Sequence, residues 1–441
     1  MEQFSGDFLK GAATAAHQVE GNNTHSDFWA QEQMPHSAFV EKSGDACDHY
    51  NRYREDIRLL ADAGLNAYRF SIEWARIEPE DGLFDEKEMK HYEDVIDCCR
   101  DYGVEPIVTL HHFSSPVWLI QKGGWEAETV PDDFARYVSY VADHIGSKLH
   151  YVCTINEANM GLQVAAIIRR YMVQAKAAAA KAAADGAGEN TASDGDTTEE
   201  GQVQVGMNLA GMQERMKQAA MENAAVFGTP QPKTFTGGLS QRGDELVMEA
   251  HKKAREILHE KCPDAKVGLT LSLHDIQFED GGEEQAERAW NEEFRHYLPV
   301  IGEDDFLGVQ NYTRSIFGPD GQLPNPPGAK TTQMGYEIFP QALENVIRKV
   351  AREFSGDLIV TENGIATADD TQRCEFIREA TDGVKRCLAD GIPVKGYLYW
   401  SLMDNFEWQK GYSMTFGLVA VDRKNDQKRM PKESLSYLGS L

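Results

Sequence analysis

The sequence has no long apolar run: nowhere does it reach the ~18 consecutive apolar residues of a membrane-spanning helix, and its opening "MEQFSGDFLKG" lacks the apolar core of a secretory signal. Positive charge is scarce as well. Lysine and arginine number 44 against 71 aspartates and glutamates, a formal net charge of −27. A surface of that sign repels phosphate backbones, which argues against a nucleic-acid partner, and its plain consequence is solubility. Cysteine is sparse and unpatterned: seven residues, an odd number, without the paired spacing of a metal site. Cys98 and Cys99 fall together in a helical segment, where neighbours point in different directions. Buried, reduced thiols in a cytoplasmic protein with no membrane association are expected. No repeat recurs at a solenoid period, so stacked-repeat architectures are set aside.

What is present is alternation. Apolar, β-rich runs occur at 9–16, 66–72, 105–112, 150–156, 266–272, 306–312, 358–362 and 394–401, separated by stretches of helical period such as 49–64, 131–146 and 244–262. Eight strands alternating with helices predict an α/β protein, a single (β/α)8 TIM barrel whose right-handed crossovers make the strands parallel. A doubly wound sheet is the alternative, but nearly every strand ends in polar residues, and a barrel collects such ends at one mouth. The whole chain, 1–441, reads as one catalytic domain. One stretch breaks the rhythm. Residues 160–241, after the fourth strand, far exceed a normal connection and predict a long helical insertion on the catalytic face. It contains the helix-forming "VQAKAAAAKAAAD", then the acidic "GAGENTASDGDTTEEG", expected to be mobile over 185–201. A segment bearing Met212, Met216 and Ala219 at helical spacing follows, expected to pack on the barrel beside the entrance.

Two strand ends carry carboxylates that are costly to bury without compensation: Glu157 in "LHYVCTINEAN" and Glu362 in "DLIVTENGIA". Catalytic residues of a barrel sit at the carboxyl ends of its strands. Two carboxyls across one mouth suit glycoside hydrolysis, in which one protonates the leaving oxygen while the other attacks or stabilises the anomeric carbon. Either residue alone reads more simply as a surface glutamate at a loop start.

Seven stretches in order change that balance: "QVEG" (18–21), "YRFSIEWARIEP" (68–79), "TLHHFSSP" (109–116), "TINEA" (154–158), "DFLGVQNYT" (305–313), "TENG" (361–364) and "YWSLMDNFEWQKGYSMTFGLVAVD" (399–422). Together they resemble glycoside hydrolase family 1, the β-glucosidase family of retaining exo-glycosidases, over roughly 4–160 and 242–437. The resemblance implies that Glu157 is the general acid/base and Glu362 the nucleophile. It implies that Arg69 and Tyr312 support Glu362 and keep it ionised, whereas Glu157 must be protonated at rest. Asn156 is implied to bond the sugar's 2-hydroxyl. Gln18, His112, Trp400, Glu407 and Trp408, with Phe416 closing the pocket, are implied to bind the non-reducing sugar, whose apolar C–H face and hydroxyl rim suit aromatics with polar partners. No metal and no cofactor is implied. The expected partner is a small-molecule β-glycoside or cello-oligosaccharide, and a homo-oligomer is left open.

The chain departs from the family's pattern at Ala158, where proline is usual, at Phe113, where tryptophan is usual, and at Gln310, where asparagine is usual. The insertion replaces the usual loop after the acid, so leaving-group preference is the property least determined. Three other readings of these residues compete. A metal-dependent hydrolase through His111, His112, His274 and Asp275 is disfavoured because adjacent strand residues face opposite sides. A non-catalytic sugar-binding barrel is disfavoured by the presence of Glu157, Glu362, Arg69 and Tyr312 together. A 6-phospho-β-glycosidase could draw on Lys410 and Tyr412, but Glu407 stands where the family's phosphosugar enzymes usually carry a small polar residue. The expected activity is therefore hydrolysis of unphosphorylated β-D-glucosides, with β-galactosides and β-fucosides also open, through a covalent glycosyl-enzyme.

Overall fold

The computed structural model describes residues 4–184 and 212–441. Eight parallel strands close into a barrel in which each pairs with its neighbours in sequence and the last returns to the first. They are β1 (Leu9–Ala13), β2 (Ala67–Ser71), β3 (Glu105–His111), β4 (Tyr151–Ile155), β5 (Lys266–Ser272), β6 (Phe306–Gln310), β7 (Asp357–Asn363) and β8 (Val394–Trp400). All eight expected strands are present. The first is shorter than the apolar run because the Ala16 N–H donates to Ser71 Oγ (2.8 Å), turning the chain into a short helix over Ala16–Val19.

The barrel interior is packed. Leu9, Ala67, Ile107, Cys153, Phe306, Ile359 and Leu398, one from each strand but β5, form a buried cluster of their own, as filled barrels require. At that level β5 supplies Gly268, and a Cβ there would lie 2.9 Å from the Phe306 ring. The absent side chain makes room for the ring.

Outside lie the helices, each with an apolar stripe toward the strands. In Val130–Ile145, Phe134, Tyr137, Val138, Val141 and Ile145 are buried at helical spacing, while Asp132 and Asp133 occupy the first turn and His144 the last, charges that match the helix dipole. This helix packs along Gln241–Lys261, whose N-cap Ser240 accepts from the Gly243 N–H.

The insertion leaves β4 as a helix over Met160–Ala184 and returns as another over Met212–Phe227. The second meets the segments that follow β1 and β3: His36 Nδ1 is 2.6 Å from Glu222 Oε1, and Gln121 Nε2 donates to the Val226 carbonyl (2.9 Å). The expected mobility of 185–201 and the packing of the Met212 and Met216 side chains lie outside the described residues. Two small sheets not expected from the sequence also border the mouth. One joins Asp275–Phe278, Arg314–Gly318 and Gly321–Gln322, and the other is a hairpin of Val419–Asp422 with Lys428–Pro431. Among the described residues no helix is long and apolar enough to cross a membrane.

Candidate active site

Glu362 reaches the barrel mouth through an irregularity in β7. Ile359 belongs to the interior cluster, so strict alternation would send Thr361 inward and Glu362 outward. The register against β6 slips instead: Val360 pairs with Val309 and Glu362 with Gln310, leaving Thr361 as an extra residue. This is a β-bulge, which re-aims the side chain that follows it. The carboxyl so delivered is gripped at both oxygens. Arg69 Nη1, from β2, donates to Oε1 at 2.6 Å, and the Tyr312 hydroxyl, just past β6, donates to Oε2 at 2.5 Å. Arg69 is fully buried and Tyr312 nearly so.

Burial raises the pKa of Glu362. Against it act the Arg69 charge, the Tyr312 hydroxyl, and hydrogen bonds from Arg69 and Gln310. The net direction is upward, so these partners, expected from the sequence to keep the group ionised, limit the rise without cancelling it.

Glu157 stands directly after β4 with a left-handed backbone, φ 44°, which is unusual for a residue with a side chain. Its N–H is donated to Thr270 Oγ1 (2.8 Å) and the next N–H, of Ala158, to the Thr270 carbonyl (3.0 Å). Burial raises the Glu157 carboxyl well above its ordinary range and the charge of Glu362 adds to the rise, while a bond from Ser272 and the Arg69 charge oppose it. Unlike Glu362, Glu157 has, among the described residues, neither a guanidinium nor a phenol in hydrogen-bond contact. Both carboxyls are raised, but Glu157 further, because Glu362 alone is held by a cation and a phenol; it is this separation that acid–base chemistry at one centre needs.

Between them lies Asn156. Its Oδ1 receives Arg69 Nη2 (2.5 Å), Gln310 Nε2 (2.8 Å) and Thr270 Oγ1 (3.4 Å). An amide oxygen has two lone pairs, so its accepting capacity is spent and only Nδ2 has a hydrogen to spare. That nitrogen is 3.1 Å from His112 Nε2.

The remaining expected residues line the same mouth. Burial, then the Arg69 charge, drives the His112 pKa well below its ordinary value, so the ring is neutral. Since Nε2 accepts from Asn156, the network assigns the proton to Nδ1, which has no partner among the described residues. Gln18 presents the converse. Its Nε2 donates to the Phe406 carbonyl (2.8 Å) and lies 3.3 Å from both Asn405 Oδ1 and Glu407 Oε2, while its Oε1 is buried without a partner among the described residues. A donor and an acceptor therefore face the pocket, a pair suited to a hydroxyl, which does both. Trp400 and Trp408 stack on the His112 ring at 5.8 and 6.0 Å, and Phe416 meets Tyr312 edge-on at 6.2 Å. Phe113 packs against Trp408 (5.3 Å), filling the wall where tryptophan is usual.

All the site residues expected from the sequence are therefore brought to one place. His111 and His112 face different surroundings: His111 Nε2 meets Ser115 Oγ (3.0 Å) beneath Trp125 and Phe235, outside the pocket. His274 is engaged by Glu293 and Asp275 by Gln277 and Asn345. One participant escaped the sequence reading, Thr270 as a contact of Glu157; a polar side chain inside an otherwise apolar strand is its only sign in the sequence. Gln310, read there as a departure from the usual asparagine, joins Asn156 to Glu362.

Comparison with known proteins accords with this geometry. The family model described as glycosyl hydrolase family 1 matches residues 1–183 and 310–441. A 1,4-beta-D-glucan glucohydrolase of Thermotoga neapolitana is 30% identical over 496 residues, covering 98% of this chain and 97% of that protein. Among solved structures, the beta-glycosidase BGL167 is 44% identical with a TM-score of 0.84, covering 99% of this chain and 96% of that one. A 6-phospho-beta-galactosidase of Clostridium acetobutylicum is 28% identical over 98% of this chain and 96% of its own.

Proposed function

Because the chain belongs to glycosyl hydrolase family 1, and is therefore a glycoside hydrolase, we propose that it is an exo-acting β-glycosidase that cleaves unphosphorylated β-D-glucosides with retention at the anomeric carbon. The observation that carries this reading is the asymmetry between the two buried carboxyls. Glu362, gripped by Arg69 and Tyr312, is the nucleophile: it attacks the anomeric carbon and forms the glycosyl-enzyme as the aglycone oxygen departs. Glu157, raised further by burial and by the charge of its neighbour, gives its proton to that oxygen. It then takes one from the water that frees the sugar. Asn156 holds the 2-hydroxyl through Nδ2, and Gln18 and His112 share a hydroxyl between acceptor and donor. Trp400, Trp408 and Phe416 cover the apolar face, and Glu407 accepts from the hydroxyls farthest from the cleaved bond. The seven free cysteines favour a reducing, cytoplasmic setting.

A phosphosugar substrate is the second reading, since one relative carries a phosphogalactosidase name. Two features weigh against it. The Glu407 carboxylate, beside Gln18 Nε2 (3.3 Å), would oppose a dianion. The Tyr412 hydroxyl donates to the Ser43 carbonyl, with the Arg423 guanidinium 3.2 Å over its ring, so it is already engaged. The test is a time-resolved proton NMR assay on nitrophenyl β-glucoside beside its 6-phosphate. The β-anomer of glucose is expected first, with the unphosphorylated substrate cleaved faster. An α-anomer appearing first would overturn the nucleophile, faster cleavage of the phosphate would overturn the substrate, and no hydrolysis of either would leave a sugar-binding barrel.

A further inference from the structure

The regular ladder between β4 and β5 covers only Tyr151–Cys153 against Lys266–Gly268, so it ends before the segment that carries Glu157. Substitutes for it run on to the strand ends. Glu157 N–H and Ala158 N–H go to the side chain and the carbonyl of Thr270, and Asn159 joins Ser272 by Nδ2 to its carbonyl (2.7 Å) and by Oδ1 from its N–H (3.0 Å). The Ala158 bond is open to this chain because it lacks the proline, which has no N–H, that the family usually places there.

The Thr270 hydroxyl is used to its limit. It accepts from Glu157 N–H and from Gln310 Nε2 (3.3 Å) and donates toward Asn156 Oδ1 (3.4 Å), the full complement of one donor and two acceptor sites. Its rotamer is set from the other side. The Cγ2 methyl occupies the space above Gly308, where an added Cβ would come within 2.5 Å of it. With the methyl lodged there, the hydroxyl has one direction to face. Glu157 is the residue with the strained backbone, at φ 44°, and such a conformation persists only where its surroundings over-determine it.

We propose that Thr270 is a positioning residue for the reaction: its hydroxyl fixes the left-handed turn that aims the Glu157 carboxyl at the leaving oxygen. This rests on the acid role proposed above for Glu157. Thr270 touches no reacting atom, so its loss should appear only where protonation of the leaving group matters.

The experiment compares kcat/KM for an alkyl β-glucoside, a poor leaving group, with that for a dinitrophenyl β-glucoside, which departs without help. Their ratio is unaffected by the fraction of enzyme that folds. In Thr270→Val, which keeps a methyl over Gly308 and replaces the oxygen, the ratio should fall about 100-fold, the scale of a misplacement near 1 Å. The alkaline limb of the pH profile should move with it. Thr270→Ser should restore both. If Thr270→Val yields no folded protein, Thr270→Ala, which is smaller, carries the same comparison. An unchanged ratio, or equal losses on both substrates, overturns the positioning role. Glu157→Ala, run in parallel, separates the two claims. If it shows no leaving-group dependence, the acid assignment falls and Thr270 with it. If it shows the dependence and Thr270→Val does not, only the Thr270 proposal fails.

Discussion

Replacing Tyr312 by phenylalanine removes one oxygen and leaves the ring, so its contacts with Phe416 and Tyr336, at 6.2 and 6.4 Å, are kept. The lost atom is the donor to Glu362 Oε2 at 2.5 Å. Its direction is not in doubt, because burial, then the charge of Glu362, lifts the Tyr312 hydroxyl pKa well above its ordinary value, so it stays protonated. A hydrogen bond to a charged group contributes about 1.5–3 kcal/mol, and one pKa unit corresponds to about 1.4 kcal/mol. The Glu362 pKa should therefore rise by about 1–2 units, less where water takes the vacated place. As the proposed nucleophile Glu362 must be ionised to attack, so the acidic limb of kcat/KM should shift upward by the same amount. Arg69 still holds Oε1 (2.6 Å), so the loss on the plateau should be smaller than on the acidic side. The assay is the pH profile of kcat/KM on nitrophenyl β-glucoside, which reports the free enzyme. An acidic limb that stays in place, or a loss equal at every pH, would refute the reasoning.

Glu362→Gln should abolish turnover of every substrate, and Glu157→Ala should spare activated aryl glucosides and lose the alkaline limb; equal losses across leaving groups would reverse or void the roles. Glu407→Ser should weaken turnover of unphosphorylated hexosides and relieve only part of the barrier to their 6-phosphates, since one charge is removed and no cation supplied; unchanged hexoside kinetics would remove Glu407 from the pocket. A β-glucosaminide with a protonated 2-amino group should be a poor substrate, because Asn156 has only a donor left to offer it; turnover equal to the glucoside at a pH where the amine is charged would contradict this. Away from the chemistry, burial pushes the Glu73 carboxyl up to about 7 against the bond from Ser114 Oγ. A folded-state pKa above the unfolded one makes the group's contribution complete below the unfolded value and lost as pH rises through about 7. Glu73→Gln should therefore raise Tm at pH 8 by more than at pH 4, and a lower Tm at pH 8 would sink the assignment.

Periodicity made the eight strands legible because each is an apolar run of ordinary length, and the polar residues ending them pointed to a mouth. The two carboxyls proposed as acid and nucleophile were legible through their motifs, not through burial or spacing. Three things were hidden. The two small sheets near 275–322 and 419–431 are built from strands of two to five residues, too short for a period to declare itself. The opposition of burial and partners at Glu362 is a sum over groups from β2, β6 and the segment beyond it, which no linear reading adds. The face Glu362 occupies was misleading outright, since alternation from Ile359 assigns it to the outside of the barrel and a bulge at Thr361 puts it within.

That bulge also marks where the strand could be shortened. Removing Thr361 would leave β7 an unbroken strand with the glutamate still opposite Gln310, and so on the inner face it shares with Ile359. A chain without Thr361 is therefore expected to keep a carboxyl at the mouth but to seat it differently between Arg69 and Tyr312. A fall in kcat/KM with the sugar-binding isotherm retained would show that the extra residue sets the aim of the carboxyl, and unchanged kinetics would show that it does not.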